Sequence, residues 1–324
     1  MKSFSYVVVA AVIVVLASLT GGSVAAQTYP EKPVRIIVGF PPGGTNDLLA
    51  RLLAQRLSDR FGQAFIVENR PGAANNIGTE IVARAKPDGH TLLMANTPNV
   101  INHTLYEKLG FNFLEDFAPI AAIMRVPAVL IANPSFPIKT ISGLIQDAKA
   151  NPGKLNVASP GIGTSTHLAL ELMQMMTDSK FVHVTYRGSP PMLNDIIGGQ
   201  VMLGFDILSG SIENIRGGKL RALAVTSEKR SPVLPDTPAM AETIPGYEAS
   251  AWFGLAAPAG TPQDIVDRLN KEVNIVLADP KTKERLQQLS GTLIGGTPTQ
   301  FKQLIAEEVE KWAKVIKFAG VERR

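Results

Sequence analysis

The chain has no cysteine among its 324 residues. That removes disulfide scaffolds, thiolate zinc sites, iron–sulfur clusters and any cysteine nucleophile together. Only four histidines are present, His90, His103, His167 and His183, so a metal centre would have to rest on them and on carboxylates. Neither sign of charge dominates: 32 Lys and Arg stand against 28 Asp and Glu, and the formal net charge of +4 is scattered rather than gathered into a run. Such a spread argues against a nucleic-acid partner. The usual catalytic signatures are missing as well. There is no G-x-S-x-G elbow, no H-E-x-x-H pair, no Gly-Lys-Ser/Thr ending of a P-loop, and no acidic residue in a ribose-binding register behind a G-x-G-x-x-G pattern. Beyond the first 26 residues, no apolar run approaches the roughly 20 residues needed to span a bilayer.

That amino terminus has its own logic. Lys2 gives a short positive start, Val7 to Leu19 is almost wholly apolar, and Val24-Ala25-Ala26 places small residues at cleavage positions. The segment 1–26 reads as a secretory signal removed after Ala26, with a mature chain starting at Gln27 and working outside the cytoplasm. An uncleaved anchor is the alternative. The mature chain is too long for one ordinary core, so two lobes are expected.

Short β-branched runs alternate with amphipathic helical patterns, punctuated by Pro and Gly, which is an α/β pattern. Val34 to Val38, Phe65 to Val67 and Thr91 to Met94 read as strands of a first series, with a helix carrying Leu49, Leu52, Leu53 and Leu57 against the sheet and another from Ile77 to Ala85. Leu155 to Ala158, Phe181 to Tyr186, Leu203 to Phe205 and Leu220 to Val225 form a second series, with helices near Ile141 to Ala150, His167 to Met176 and Pro190 to Ile197. Thr261-Pro262-Gln263-Asp264 and Thr297-Pro298-Thr299-Gln300 each look like a capping Thr before a first-turn Pro. Met173, Met175 and Met176 read as core packing. The apolar segments Pro119 to Asn133 and Glu248 to Pro258 are candidate crossings between lobes. They would leave 27–124 and 250–324 in the first lobe and 125–249 as an inserted second lobe.

Two Gly-rich turns, each between an expected strand and an expected helix, carry the chemistry. The first is Gly39-Phe40-Pro41-Pro42-Gly43-Gly44-Thr45-Asn46-Asp47. The second is Ser159-Pro160-Gly161-Ile162-Gly163-Thr164-Ser165-Thr166-His167. Glycine admits close approach of the backbone to a ligand, and the helix that starts there offers unpaired N–H groups with about half a positive charge. Each turn also lies at the carboxyl end of its strand, where open α/β sheets bind ligands. The same residues can simply cap helices, but one turn in each proposed lobe favours an anion site. Carboxylate suits it best, needing few donors and no metal. Asp47 either favours the positive helix terminus or accepts a hydrogen bond from the ligand. His167 is a packing or capping histidine or a base, and Asp206, at a strand end, lacks a positioned partner for acid–base work. Trp252 and Phe253 line a cleft floor or fill a hinge core.

Longer strings of residues resemble a known family. Tyr29-Pro30-x-Lys32-Pro33-x-Arg35, Phe40-Pro41-Pro42-Gly43-Gly44-x-x-Asp47-x-x-Ala50-Arg51, Val67-Glu68-Asn69-Arg70-Pro71-Gly72-Ala73 and Pro87-Asp88-Gly89-His90-Thr91-Leu92 look like the Bug-type receptors of the tripartite tricarboxylate transporter family. The resemblance continues through Gly161-x-Gly163-Thr164-x-x-His167-Leu168-Ala169, Tyr186-Arg187-Gly188, Asp195-x-x-Gly198-Gly199, Phe205-Asp206, Leu223-Ala224-Val225-Thr226 and Trp252-Phe253-Gly254-Leu255, covering essentially the whole mature chain in order.

The resemblance implies a two-lobed periplasmic binding protein of the Venus-flytrap type (type II-like), each lobe a mixed sheet flanked by helices. It would capture a small carboxylate and deliver it to membrane permease subunits, as a monomer and without cofactor or metal. It assigns ligand contacts to Phe40, Pro42, Gly43, Gly44, Thr45, Asn46, Asp47, Thr97, Gly163, Thr164, Ser165, His167, Gly188, Ser189 and Asp206, with the last three near the end of the ligand where members differ. Ser189-Pro190-Pro191 stands where many relatives have small Ala residues, and Ile207-Leu208-Ser209 where an Asn commonly follows the aspartate. An exported enzyme using His167 and Asp206, or a sensor subunit presenting its ligand to a membrane signalling protein, are the alternatives.

Overall fold

A computed structural model describes residues 29–320; the expected signal segment 1–26 lies outside them. The β-branched, Gly-bounded runs form two sheets. In the first, strand β1 (Val34–Val38) pairs in parallel with β2 (Phe65–Asn69) and β3 (Thr91–Asn96). An antiparallel side completes it, in which β10 (Ala251–Pro258) lies between β3 and β4 (Phe117–Val126), and β11 (Thr292–Gly295) forms the edge beyond β4. The second sheet has the order β7 (Val182–Thr185), β6 (Asn156–Ser159), β8 (Leu203–Ile207), β5 (Ala128–Ala132), β9 (Arg221–Val225).

Alternation along β5 shows how the second sheet is covered. Leu130 and Ala132 join a core that also holds Leu93 and Ala122 of the first sheet, whereas Val129 and Ile131 face a separate cluster with Met192, Leu208 and Val225. Successive strand residues point to opposite faces, so a strand buried on both faces must be apolar throughout, as Ala-Val-Leu-Ile-Ala is. Helices α1 (Thr45–Phe61), α2 (Asn76–Ala83) and α3 (Thr97–Leu105) follow β1, β2 and β3. In the second sheet α5 (Ser165–Thr177), α6 (Ser189–Ile197) and α7 (Leu208–Arg216) follow β6, β7 and β8, and α4 (Ile141–Ala150) precedes β6.

The expected crossing Pro119 to Asn133 resolves into two strands of different sheets, β4 and β5, with only Pro127 between them. Proline has no N–H to give a ladder, so the chain changes sheet there with no loop. Arg125 near the end of β4 meets Glu248 on the return path at 3.3 Å, and Lys311 reaches Glu248 at 3.3 Å and the buried Glu308 at 2.7 Å. This ionic cluster joins both crossings to α10 (Pro298–Ala319), which packs on α3, on β4 and on α5 of the second sheet.

Several local expectations change. Thr297 caps α10 through a capping box with Gln300, but Thr261 does not cap α8 (Gln263–Ala278). That helix starts after Pro262, and the Thr261 hydroxyl donates instead to the Pro258 carbonyl at 2.8 Å. Leu52 is only half-buried, Met173 is fully buried, and Met176 is exposed at the last turn of α5. Trp252 and Phe253 are core residues of β10. Helix α9 (Pro280–Gln288), capped by Asp279, carries no strong apolar pattern and has no counterpart among the expected elements.

Candidate functional site

Both Gly-rich turns stand at strand–helix junctions and share one device. Gly43 (φ +88°) donates its N–H to Asp47 Oδ2 at 2.9 Å, and Gly163 (φ +77°) donates its N–H to His167 Nδ1 at 3.2 Å. In each, a glycine in the left-handed region is fastened to the side chain four residues on, in the first turn of the following helix. A side chain at either glycine would be strained by its φ.

Asp47 is buried and fully engaged. Besides Gly43 it accepts from Arg51 Nε at 3.0 Å and, through Oδ1, from Asn69 Nδ2 at 3.0 Å. Burial works against its charge, but the bonds from Arg51, Gly43 and Asn69 outweigh it and hold its pKa below the ordinary value. Asn69 also donates to the Phe40 carbonyl at 3.0 Å, closing the turn from the other side. Pro42, Gly43 and Gly44 are exposed, Phe40, Thr45 and Asn46 half-buried. No side chain caps α1 at Gly44, so first-turn N–H groups are open to a ligand.

The second turn is more enclosed. Gly163, Ser165 and His167 are buried. Thr164 caps α5, accepting from His167 N at 3.2 Å and donating to the Gly161 carbonyl at 2.7 Å. Because Nδ1 of His167 accepts from Gly163, its proton resides on Nε2, which faces Glu171 Oε1 at 3.5 Å. His183 stacks on His167 with ring centroids 4.1 Å apart and meets Ser159 Oγ at 2.6 Å. Burial, with His167 beside it, pushes the His183 pKa down to about 3.

The remaining expected residues fall around these turns. Gly188, at the head of α6, donates to the Pro160 carbonyl of the second turn at 2.9 Å. Ser189 donates to Asp206 Oδ1 and Ser211 to Oδ2, both at 2.6 Å. Burial pushes the Asp206 pKa up, against those two hydroxyls and the Ile207 N–H. Ser209, beside it, meets Thr45 of the first turn at 2.7 Å. Thr97 is buried at the head of α3, and its hydroxyl accepts from Trp252 N at 2.8 Å. Helix α3 spans the site. Next to its first residue, Asn96 Nδ2 donates to Asn46 Oδ1 of the first turn at 2.7 Å. Near its end, Asn102 Oδ1 and Leu105 lie against Gly163, where a Cβ would come within 2.8 Å of Leu105 Cδ2. Five residues separate Thr97 from Asn102, about 8 Å along the axis.

Residues that sequence reasoning passed over include Asn75, Asn96, Asn99 and Ser211. Buried amides far apart in sequence meet only in the fold. The one available signal was the density of Asn around Gly72–Asn76 and Asn96–Asn102. Among the described residues, no group of three or more His, Asp or Glu could hold a metal ion, and no helix is long and apolar enough to cross a membrane.

Known proteins share this fold. The family model for the tripartite tricarboxylate transporter family receptor matches residues 49–321. Protein BugT of Bordetella pertussis is 38% identical over 300 residues, 92% of each chain. Among solved structures, R. palustris Rpa4515 with adipate superposes with a TM-score of 0.83 at 37% identity, covering 90% of this chain and 98% of its own. MatC from Rhodopseudomonas palustris with bound malate gives 0.80 at 31% identity, covering 89% and 100%. The chain belongs to the receptor family of the tripartite tricarboxylate transporters.

Proposed function

We propose that this receptor closes its two lobes over a small carboxylic acid held between the first turn, at Gly44, Thr45 and Asn46, and the second, at Thr164 and Ser165. Gly188, Ser189 and Asp206 border the other end of the ligand. The observation that carries this reading is the repeated Gly-to-(i+4) staple, which fixes two helix N-termini, one at each end of α3. Rigid, pre-formed donors suit an anion that is released again intact. Relatives whose structures were solved with adipate and with bound malate indicate the acid class.

Asp47 and His167 serve in this reading as turn fasteners behind the ligand. The protein acts as a binding protein and not as an enzyme: the pair an acid–base enzyme would draw on, His167 and Asp206, is committed to Gly163 and to two serines. It needs no cofactor. It is exported, loses residues 1–26, works in the periplasm as a monomer and hands its ligand to permease subunits. The lobes are 27–124 with 250–324, and 125–249, with Arg125 and Val126 still paired in β4 of the first sheet and the hinges at Pro127 and at the return path beside Glu248.

The test is thermal unfolding of the mature protein with a panel of carboxylic acids that includes adipate and malate. At about 100 times its dissociation constant, a true ligand adds roughly 2.7 kcal/mol of stability. Recovery of the acid unchanged separates receptor from enzyme. A panel with no stabilising acid would refute the proposal.

A further inference from the structure

Behind the first turn lies a network of buried amides that the binding reading does not use, in which Asn75 Oδ1 is buried without a hydrogen-bond partner. Asn75, Asn99 and Thr79 are fully buried and Asn96 nearly so. Asn75 sits in a run of positive φ, from Gly72 (136°) through Ala73 (46°) and Ala74 (50°) to its own 84°. Left-handed backbone is costly for non-glycine residues and tolerated best by Asn. The neighbour of Asn75 is Gly39, whose missing side chain is required: a Cβ there would fall 1.6 Å from Asn75 Oδ1.

The polarity of this network is fixed at both ends by main chain. The backbone N–H of Asn96 donates to Asn99 Oδ1 at 2.9 Å, so that atom is an oxygen. At the other end, the Thr79 hydroxyl donates to the Asn75 carbonyl at 2.9 Å and therefore accepts from Asn99 Nδ2 at 2.7 Å. Asn75 must then direct its NH2 group at Asn99 Oδ1 (3.0 Å), and the same group reaches Asn96 Oδ1 (3.1 Å). Asn96 is left with its NH2 towards the first turn, where it donates to Asn46 Oδ1 at 2.7 Å. An amide has one acceptor end and one donor end, so each step dictates the next.

We infer that this relay, Asn99 to Asn75 to Asn96 to Asn46, sets the polarity of Asn46, so that its NH2 group faces the ligand and the first turn selects a group that only accepts hydrogen bonds. The inference rests on the reading that the ligand lies against this turn. Asn96 is then a positioning residue for specificity: it touches no ligand but decides which end of Asn46 does. A carboxylate or carbonyl oxygen fits; an ammonium, an alcohol acting as donor or an amide nitrogen does not.

The test is Asn96→Asp in the mature chain. An aspartate at 96 still accepts from Asn75 but cannot donate, so the Asn46 amide turns over and presents its oxygen. Titration calorimetry with adipate and malate should show affinity falling roughly tenfold or more, about 1.4 kcal/mol. The side-chain amide proton signals of Asn46 should move in Asn96→Asp before any ligand is added, and should no longer respond to ligand. Unchanged affinity with unmoved Asn46 signals overturns the relay. Should Asn96→Asp fail to fold, Asn46→Asp at the half-buried end carries the test: it keeps the acceptor for Asn96 and turns an oxygen to the ligand, so equal binding by that variant overturns the inference. If the parent protein binds no acid in the panel, the proposed function fails, while the ligand-free Asn46 signals still decide the relay.

Discussion

The two Gly-rich turns are built on the same staple from different chemistry. In the first, the acceptor is a carboxylate, Asp47, held by Arg51 and Asn69 beneath an exposed pair of glycines. In the second it is a neutral imidazole, His167, packed between His183 and Glu171 beneath a buried glycine. A carboxylate suits a helix N-terminus with no side-chain cap, because it offsets the positive end without occupying the outward N–H groups. The second helix has its cap in Thr164, and there the fastener only has to accept one bond. The same staple therefore sits under an exposed first turn and a more enclosed second one.

The sharpest way to break the equivalence is to place a branched side chain in each turn. Gly44 has φ −80°, and a Cβ there would meet only the Pro41 carbonyl, at 3.9 Å. Gly163 combines φ +77° with a Cβ contact of 2.8 Å to Leu105. Gly163→Val should cost about 2–4 kcal/mol of stability from backbone strain and overpacking together. Gly44→Val should change stability by less than about 1 kcal/mol and still abolish acid binding, because its side chain fills the approach to the N–H groups. Urea unfolding and calorimetry on both variants separate the two effects.

Next in size is Asp47→Asn. The new NH2 group would face Gly43 N–H or Asn69 Nδ2, so at least one bond is lost at a buried position and the cost is about 1–3 kcal/mol. The ion pair with Arg51 adds little, since that side chain is 54% exposed. The folded pKa of Asp47 is depressed, so its contribution is present above the ordinary value of 3.8 and lost as pH falls below it. The variant should lack that acid limb in a pH series of unfolding free energies.

The second turn should respond at higher pH. His183 has its folded pKa lowered from 6.5 to about 3. Below pH 6.5 the unfolded chain binds a proton that the folded one refuses, so this group makes stability rise with pH between about 3 and 6.5. Its slope is bounded by about 1.4 kcal/mol per pH unit. His183→Phe keeps the stacking on His167 and should flatten that window while leaving the region below pH 3.8 to Asp47. A curve unchanged by the substitution contradicts the assignment.

The smallest effect concerns the bond between Thr45 and Ser209, which joins the first turn to α7, the helix that follows β8. Thr45→Val and Ser209→Ala should each cost about 0.5–1.5 kcal/mol, and the double variant no more than the larger single one. Full additivity in that cycle would mean the two hydroxyls do not act as a pair.

The sequence carried β1 to β3 and β6 to β9, both Gly-rich turns and the helices that come after them, because those signals are local: β-branched runs, glycine before a helix, apolar residues at helical spacing. Strand β11 and the helices α3 and α7 had no such signal and went unread. It misplaced the α8 cap, where Thr261 had the right neighbours and a nearer carbonyl at Pro258 took its hydroxyl. It read 119–133 as one crossing, since two largely buried strands separated by a single Pro127 look like one apolar run. Asp47 and His167 were legible as members of the turns but not as equivalents, because an acid and an imidazole share no pattern until both are seen accepting a glycine N–H. The Asn75–Asn96–Asn46 contacts were illegible for a different reason: they join positions 21 and 50 residues apart and depend on Gly39 standing beside them.

The central claim is that one acid is held by both turns at once. Backbone amide signals of the mature chain during titration with adipate or malate test it most directly. The account predicts that Thr45 and Asn46 in the first turn and Thr164 and Ser165 in the second shift together, along one saturation curve. Shifts confined to a single turn, or saturating elsewhere on the surface, would contradict it.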